Sequence, residues 1–142
     1  MTTPDVTPRQ DRWLRAVGYG VLAEIATILT IVAVVLLYRY VFARSLSDAD
    51  YIAFAERVGA ILGVVGGTLY VFLFAYRLMR RLSSRFLAHG IVIAVAAIVL
   101  SIGGSLAGHQ GIPPAYALAS ALKLAAGALA GWLASSKTRL TG

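Results

Sequence analysis

The chain has 142 residues, of which 59% are hydrophobic and 13% are charged; Lys and Arg number 13, Asp and Glu number 6, and there is no cysteine. Soluble domains carry about 25% charged residues, so this composition excludes an ordinary soluble protein. The lack of cysteine excludes disulfides, thiolate chemistry and cysteine-ligated metals.

Four apolar runs occupy most of the chain and predict its fold class. They cover residues 16–38, 52–76, 90–108 and 115–134. Each is close to the about 20 residues that a helix rising ~1.5 Å per residue needs to cross ~30 Å of hydrocarbon. The sequence therefore predicts an all-α integral membrane protein. We expect one domain over residues 1–142, a four-helix transmembrane bundle whose short connections make neighbouring helices antiparallel.

The first part of the chain predicts a tail followed by an uncleaved span. Residues 1–11 include Pro4 and Pro8 and are expected to form a mobile tail. The first apolar run is longer than the ~7–15 residues of a signal-peptide core, and Glu24 interrupts it, so we interpret it as a span. After it, Ser47 precedes Asp50 by three residues, a capping-box spacing that predicts the start of the second helix.

The basic residues predict the orientation of the bundle. Positively charged residues favour the cytoplasmic side of a membrane, which explains the formal charge of +7 without invoking nucleic acid. They concentrate in the N-terminal segment, the second connection and the C-terminal segment, as Arg9, Arg12, Arg15, Arg77, Arg80, Arg81, Arg85, Lys137 and Arg139. Only Arg39 and Arg44 lie in the first connection. Both termini should therefore be cytoplasmic in a multi-pass protein of a bacterial-type inner membrane.

Glycines spaced four apart predict close helix packing. Span two carries Gly59, Gly63 and Gly67, and span four carries Gly127 and Gly131. Residues four apart share a helix face, and small residues there let two backbones approach. We favour packing inside one protomer; the alternative is a homo-oligomer interface or contact with another membrane protein.

Glu24 and Lys123 are the leading candidates for an intramembrane polar pair. Each lies about eight residues inside its span, from opposite sides, so their Cα heights differ by only about 6 Å in a ~30 Å core. A central charge costs roughly 2.5–3.5 kcal/mol on insertion, so two opposite charges are better tolerated when they meet. We expect the two side chains to face the interior and pair. The pair either fixes helix register or forms part of a proton or ion relay.

Secondary polar positions are Glu56 and Arg57, which are adjacent and point ~100° apart on a helix. We interpret them as charges near the interface, although Glu56 is also a competing partner for Lys123. Arg77, Arg80, Arg81 and Arg85 form a cluster that would contact anionic lipid headgroups, unless it serves topology alone.

The candidate motifs for catalysis, cofactor binding and metal binding lack the structural context that each requires. Residues 18–23 match a G-x-G-x-x-A string, but no strand precedes it and no βαβ pattern follows. His89 and His109 lie at opposite ends of the third run, ~30 Å apart, so one protomer cannot bring both to one metal. We therefore expect neither enzyme activity nor a cofactor. The sequence favours an accessory, assembly or lipid-contacting subunit; the alternative is a small oligomeric proton- or ion-coupled transporter or channel.

Overall fold

The computed structural model describes residues 9–42, 47–80, 82, 85–107 and 114–140, and it describes side chains for 12–136 of these. Most of the described residues are helical, and four of the helices are long and apolar enough to cross a membrane. In chain order the helices are α1 (Arg9–Leu37), α2 (Asp48–Met79), α3 (Phe86–Ala107) and α4 (Ala115–Leu140), and α1 continues into a π-helical turn at Tyr38–Phe42.

The helices are longer than the apolar runs that predict them. α2 has 32 residues, or about 48 Å at ~1.5 Å per residue, which exceeds the hydrocarbon thickness. The predicted start of α2 is confirmed, because Ser47 is its N-cap and the Ser47 hydroxyl oxygen accepts a hydrogen bond from the Asp50 amide. The polar ends of the helices lie beyond the apolar runs, so hydropathy alone understates helix length.

The order of the helices around the bundle differs from their order in the chain. α1 packs on α2 and α3, and α4 packs on the same two helices. α2 and α3 touch far less, although only residues 80–85 connect them, and α1 and α4 barely approach. A short connection therefore does not place α2 and α3 in their closest contact. These two consecutive helices face each other across the bundle.

Burial divides the bundle into two halves. We call residues 12–27, 67–79, 86–97 and 123–136 the packed half, and residues 28–42, 47–66, 98–107 and 114–122 the open half. Trp13 stacks on His89 in the packed half, whereas Tyr38 stacks on Phe54 in the open half. Every described buried residue lies in the packed half except Ser105. The core of the protein therefore sits at one end of the bundle.

Glycine contacts explain why the packed half is tight. A Cβ on Gly90 would overlap the Gly127 carbonyl, and a Cβ on Gly127 would overlap the Gly90 carbonyl. In the same way a Cβ on Gly20 would overlap the Ile93 carbonyl, and one on Gly131 would lie 2.7 Å from Leu87 Cα. Glycine at these positions lets α3 approach both α4 and α1 at backbone distance.

The glycines of the open half do not behave as expected. Positions Gly59 and Gly63 have no atom of another helix within 4 Å of where a Cβ would stand. The favoured interpretation, packing inside one protomer, is therefore wrong for these two. Gly67 does pack, but against the side chain of Lys123 and not against a helix backbone. A four-residue period identifies the face of a helix and not the neighbour that lies opposite it.

Candidate functional site: an ion pair across the bundle

Glu24 and Lys123 meet in the centre of the bundle. Lys123 Nζ donates a hydrogen bond to Glu24 Oε2 across 2.6 Å. The side chains are only 3% and 7% exposed for lysine and glutamate respectively. The structure thus brings together the two candidate residues in a buried, hydrogen-bonded salt bridge.

The pair joins the helices that face each other diagonally. Glu24 belongs to α1 and Lys123 to α4, whose backbones barely approach. A lysine side chain is long enough to span such a gap, and on a helix it extends towards the N-terminus of its own helix. The ammonium group therefore lies outward of its Cα, towards the open half. This position puts the ion pair at the boundary between the two halves.

Gly67 of α2 provides the space through which Lys123 passes. A Cβ at Gly67 would lie 2.7 Å from Lys123 Cε and 3.4 Å from Nζ. The methyl group of Thr27 lies on the other side of this position, at 3.8 Å. Three helices thus shape the site: α1 supplies the carboxylate, α4 the ammonium and α2 the missing side chain. The lack of a side chain at Gly67 is the part of the site that polar-residue searches overlook.

The face of α1 that carries Glu24 is otherwise made of small residues. Ala16, Gly20 and Ala23 are buried on it, about three, two and one turns before Thr27. The Thr27 hydroxyl donates to the Ala23 carbonyl, which satisfies its proton within the helix. Small neighbours leave the carboxylate room to reach towards α4.

A second polar contact lies one turn outward from the pair. Thr30 donates to the Ala26 carbonyl and also lies 2.8 Å from the Tyr70 hydroxyl. A threonine hydroxyl has one proton, so Tyr70 must be the donor in the contact with Thr30. This interhelical hydrogen bond joins α1 to α2. Polar contacts thus continue from the ion pair into the open half.

Glu56 and Arg57 stand apart from the pair. Both side chains are exposed on α2 in the open half. Lys123 is bonded to Glu24, so the competition of Glu56 for this lysine does not occur. The two residues remain candidates for interfacial charges.

His89 is a buried polar residue that the sequence analysis placed only at the start of a span. It is 4% exposed, and its ring stacks on Trp13 with centroids 4.4 Å apart and an interplanar angle of 11°. Its Nδ1 lies 2.9 Å from the carbonyl oxygen of Arg85, a residue with a positive φ of 56°. Because a carbonyl can only accept, the proton must sit on Nδ1. The buried Nε2 then has no hydrogen-bond partner. This burial depends on Trp13 of α1, which is 76 positions earlier in the sequence.

The candidate headgroup contacts lie at the end of the packed half. Arg77, Arg80 and Arg85 are exposed there, and Arg15 at the start of α1 is exposed at the same end. Arg81 and His109 lie outside the described residues. Among described side chains of the packed half, the one carboxylate is Glu24, which is already paired. This end of the bundle is therefore strongly basic.

The arrangement is limited in the chemistry that it supports. It contains one acid and one base that neutralise each other, with hydroxyl groups nearby. Over the described residues, no three His, Asp or Glu side chains come close enough to hold a metal ion. The chain matches no known family model, and comparisons with curated proteins and with solved structures also found no match.

Proposed function

We propose that this chain is a small non-enzymatic protein of the inner membrane, built as four antiparallel spans with both termini in the cytoplasm, and that it acts as an accessory or assembly subunit. In this proposal Glu24 and Lys123 form a structural clasp between α1 and α4. The observation that carries the proposal is the closed contact of 2.6 Å between two nearly inaccessible side chains. A charge pair held this way fixes register and leaves neither group free for exchange.

The distribution of charge supports the orientation. The exposed arginines of the packed half stand at one end, whereas Asp48, Asp50 and Glu56 lie with Arg39 and Arg57 in the open half. Basic residues remain in the cytoplasm during insertion, so the packed half would be the cytoplasmic half. Reporter fusions at the two termini test this part directly. Opposite locations of the two ends would contradict it.

The side-chain packing of the packed half supports a non-conducting role. Val71 of α2, Ala97 of α3 and Ala130 of α4 are fully buried in this half. Apolar side chains in close contact leave no aqueous route between the helices of one protomer. A single chain would therefore not conduct ions through its centre.

The clasp is tested by a double-mutant cycle. Glu24→Met leaves a buried ammonium group unpaired, and Lys123→Met leaves a buried carboxylate unpaired, so each should cost about 3–5 kcal/mol of unfolding free energy. The double variant should recover to within about 1 kcal/mol of the parent, because no charge remains buried. The free energies come from SDS titration in mixed micelles followed by circular dichroism.

Flux measurements separate the clasp from a relay. Proteoliposomes of the parent chain and of the double variant should be equally impermeable to protons and potassium ions. A parent-dependent flux that is lost in Glu24→Gln would overturn the structural role. It would establish instead the second candidate function, a small ion- or proton-coupled transporter. That candidate is favoured by one observation, the placement of two ionisable groups deep among apolar helices.

Contact with anionic lipid is the third part of the proposal. Arg77, Arg80, Arg81 and Arg85 would each contribute about 1 kcal/mol near a negatively charged headgroup. Native mass spectrometry with phosphatidylglycerol tests this by comparing the parent with Arg77→Gln/Arg80→Gln. Retained lipid in the parent and fewer bound lipids in the variant are expected. Equal retention would reduce the cluster to a topological signal.

A further inference from the structure

We propose that the open half is a hydrated vestibule, which water and small hydrophilic solutes enter from one end of the bundle only and which ends at the closed Glu24–Lys123 pair. The inference builds on the four-span arrangement proposed above. It adds to the clasp a solvent-accessible side, which is the side away from the basic end.

Serine side chains lie on the inward faces of α3 and α4 in the open half. On α3, Ser101 is half-buried and lies one turn from the fully buried Ala97 and one turn from the buried Ser105. On α4, half-buried Ser120 lies one turn outward from Lys123. Residues three or four apart share a helix face, so these serines lie on the faces that turn inward. On α3 and α4 the inward faces thus carry hydroxyl groups in the open half, where the packed half has alanine and glycine.

Side chains are packed less densely in the open half than in the packed half. In the packed half, Val71, Ile93 and Ala130 are fully buried. In the open half, only Ser105 is buried among the described residues. α1 and α2 nevertheless remain in contact there, because Tyr38, in the π-helical turn that continues α1, stacks on Phe54 of α2. The open half is thus an ordered part of the bundle whose inward faces are less covered.

The ammonium group of Lys123 can donate more hydrogen bonds than the ion pair uses. An ammonium group has three donors, and Lys123 uses one of them on Glu24 Oε2. Leaving charged donors without partners in an apolar setting is costly, and water is the partner that a polar, incompletely packed region supplies. Lys123 extends towards that region. Hydration from the open half would thus lower the cost of holding two charges inside the membrane.

The chain itself makes the test clean, because it contains no cysteine. Single cysteines are placed at Ser101 and Ser120 in the open half and at Ala97 and Ala130 in the packed half. Each variant is purified, checked for monodisperse elution and reconstituted into liposomes. The probe is a charged, membrane-impermeant methanethiosulfonate reagent, applied separately to each side. A lipophilic maleimide serves as the comparison.

Two further single cysteines report the orientation independently. Ala49→Cys lies exposed at the start of α2, and Ser136→Cys lies near the end of α4 at the opposite end of the bundle. If the proposed orientation is wrong, these two exchange sides. The vestibule is still judged by whether Ser101→Cys and Ser120→Cys react from the side of Ala49→Cys. Failure of the orientation and failure of the vestibule are therefore distinguishable.

We expect Ser101→Cys and Ser120→Cys to react with the charged reagent at least about ten-fold faster than Ala97→Cys and Ala130→Cys, because reaction in the packed half requires local opening. Reaction should occur only from the Ala49 side. Three results would overturn the proposal: equal rates in both halves, reaction from the Ser136 side, or labelling of Ser101→Cys and Ser120→Cys by the lipophilic reagent alone. The last result would mean that acyl chains fill the open half.

Discussion

The packed half and the open half are built from the same four helices but use glycine differently. In the packed half, Gly20, Gly90 and Gly127 let backbones touch, so that the helices form a core made mostly of alanine. In the open half, Gly59 and Gly63 of α2 face no other helix of the chain. The comparison teaches that a small-residue period has structural value only where a second helix lies opposite it. The following substitutions are chosen in pairs, one on each side of this boundary.

The largest difference should come from filling a backbone contact. Gly90→Leu forces α3 away from α4, because even a Cβ at this position overlaps the Gly127 carbonyl. We expect a loss of about 3 kcal/mol in unfolding free energy. Gly63→Leu on α2 has open space and should change it by less than about 0.5 kcal/mol. Both are measured by SDS titration, and equal losses would contradict the division into halves.

The same Gly63→Leu protein tests the homo-oligomer alternative. If Gly59 and Gly63 form an interface between copies, the substitution should reduce the oligomer mass seen by light scattering in nanodiscs while the protomer remains folded. If the parent is already monomeric in nanodiscs, this alternative is wrong.

A smaller difference should come from removing side-chain volume. Ile93 is fully buried in the packed half, whereas Ile61 in the open half is 63% exposed. Ile93→Ala should cost about 2 kcal/mol, at the low end of the range for core truncations, because lipid solvates an exposed isoleucine as well as the core does. Ile61→Ala should be nearly neutral. A neutral Ile93→Ala by thermal and SDS unfolding would show that the packed half lacks a close-packed core.

Substitutions at the adjacent glycines Gly66 and Gly67 test the boundary between the packed half and the open half. Gly67→Ala would force Lys123 Cε to move, since the added Cβ would lie 2.7 Å away, whereas Gly66 has no neighbour within 4 Å. We expect Gly67→Ala to cost about 1 kcal/mol. Gly66→Ala should be neutral or stabilising by up to about 1 kcal/mol through better helix propensity. The reverse order would mean that Lys123 does not cross α2 at Gly67.

The smallest expected effect is the loss of the Tyr70–Thr30 hydrogen bond. Tyr70→Phe should cost about 0.6 kcal/mol, the average found for interhelical hydrogen bonds in membranes. Tyr19→Phe is the matched control, because the Tyr19 ring packs against Phe74 without a described hydrogen bond of its hydroxyl. Effects of the same size in both variants would mean that the Tyr70–Thr30 contact adds no stability.

Much of the fold follows from hydropathy, because the lipid-spanning length of a helix is written directly in the sequence. The Ser47 cap is also predictable, since its hydrogen bond is local. The meeting of Glu24 and Lys123 could be anticipated from their depths, because a buried charge has few alternatives to an opposite charge. These features depend on one helix or on one strong energetic preference.

The remaining features depend on which helices are neighbours, and a single sequence does not contain that information in a local form. Gly90 contacts Gly127 because α3 lies beside α4, and nothing in the spacing of Gly59 and Gly63 announces that their face is uncovered. The burial of His89 follows from its contact with Trp13, which is 76 positions earlier in the printed sequence. Gly67 contributes by the space that it leaves for Lys123, which no search for polar residues finds.

The weak contact between α2 and α3 has a consequence for biogenesis. α1 packs on α2 and α3 packs on α4 as two helical hairpins, which contact each other mainly through α2 with α4 and α1 with α3. The hydrogen bond between residues 99 positions apart joins the earliest helix to the latest. In the proposed membrane arrangement, Glu24 would enter the bilayer before Lys123 has been translated. The first hairpin would then hold an uncompensated acidic group until α4 docks and completes the ion pair. Two separately expressed hairpins, split in the 80–85 connection, should consequently reassemble in one membrane.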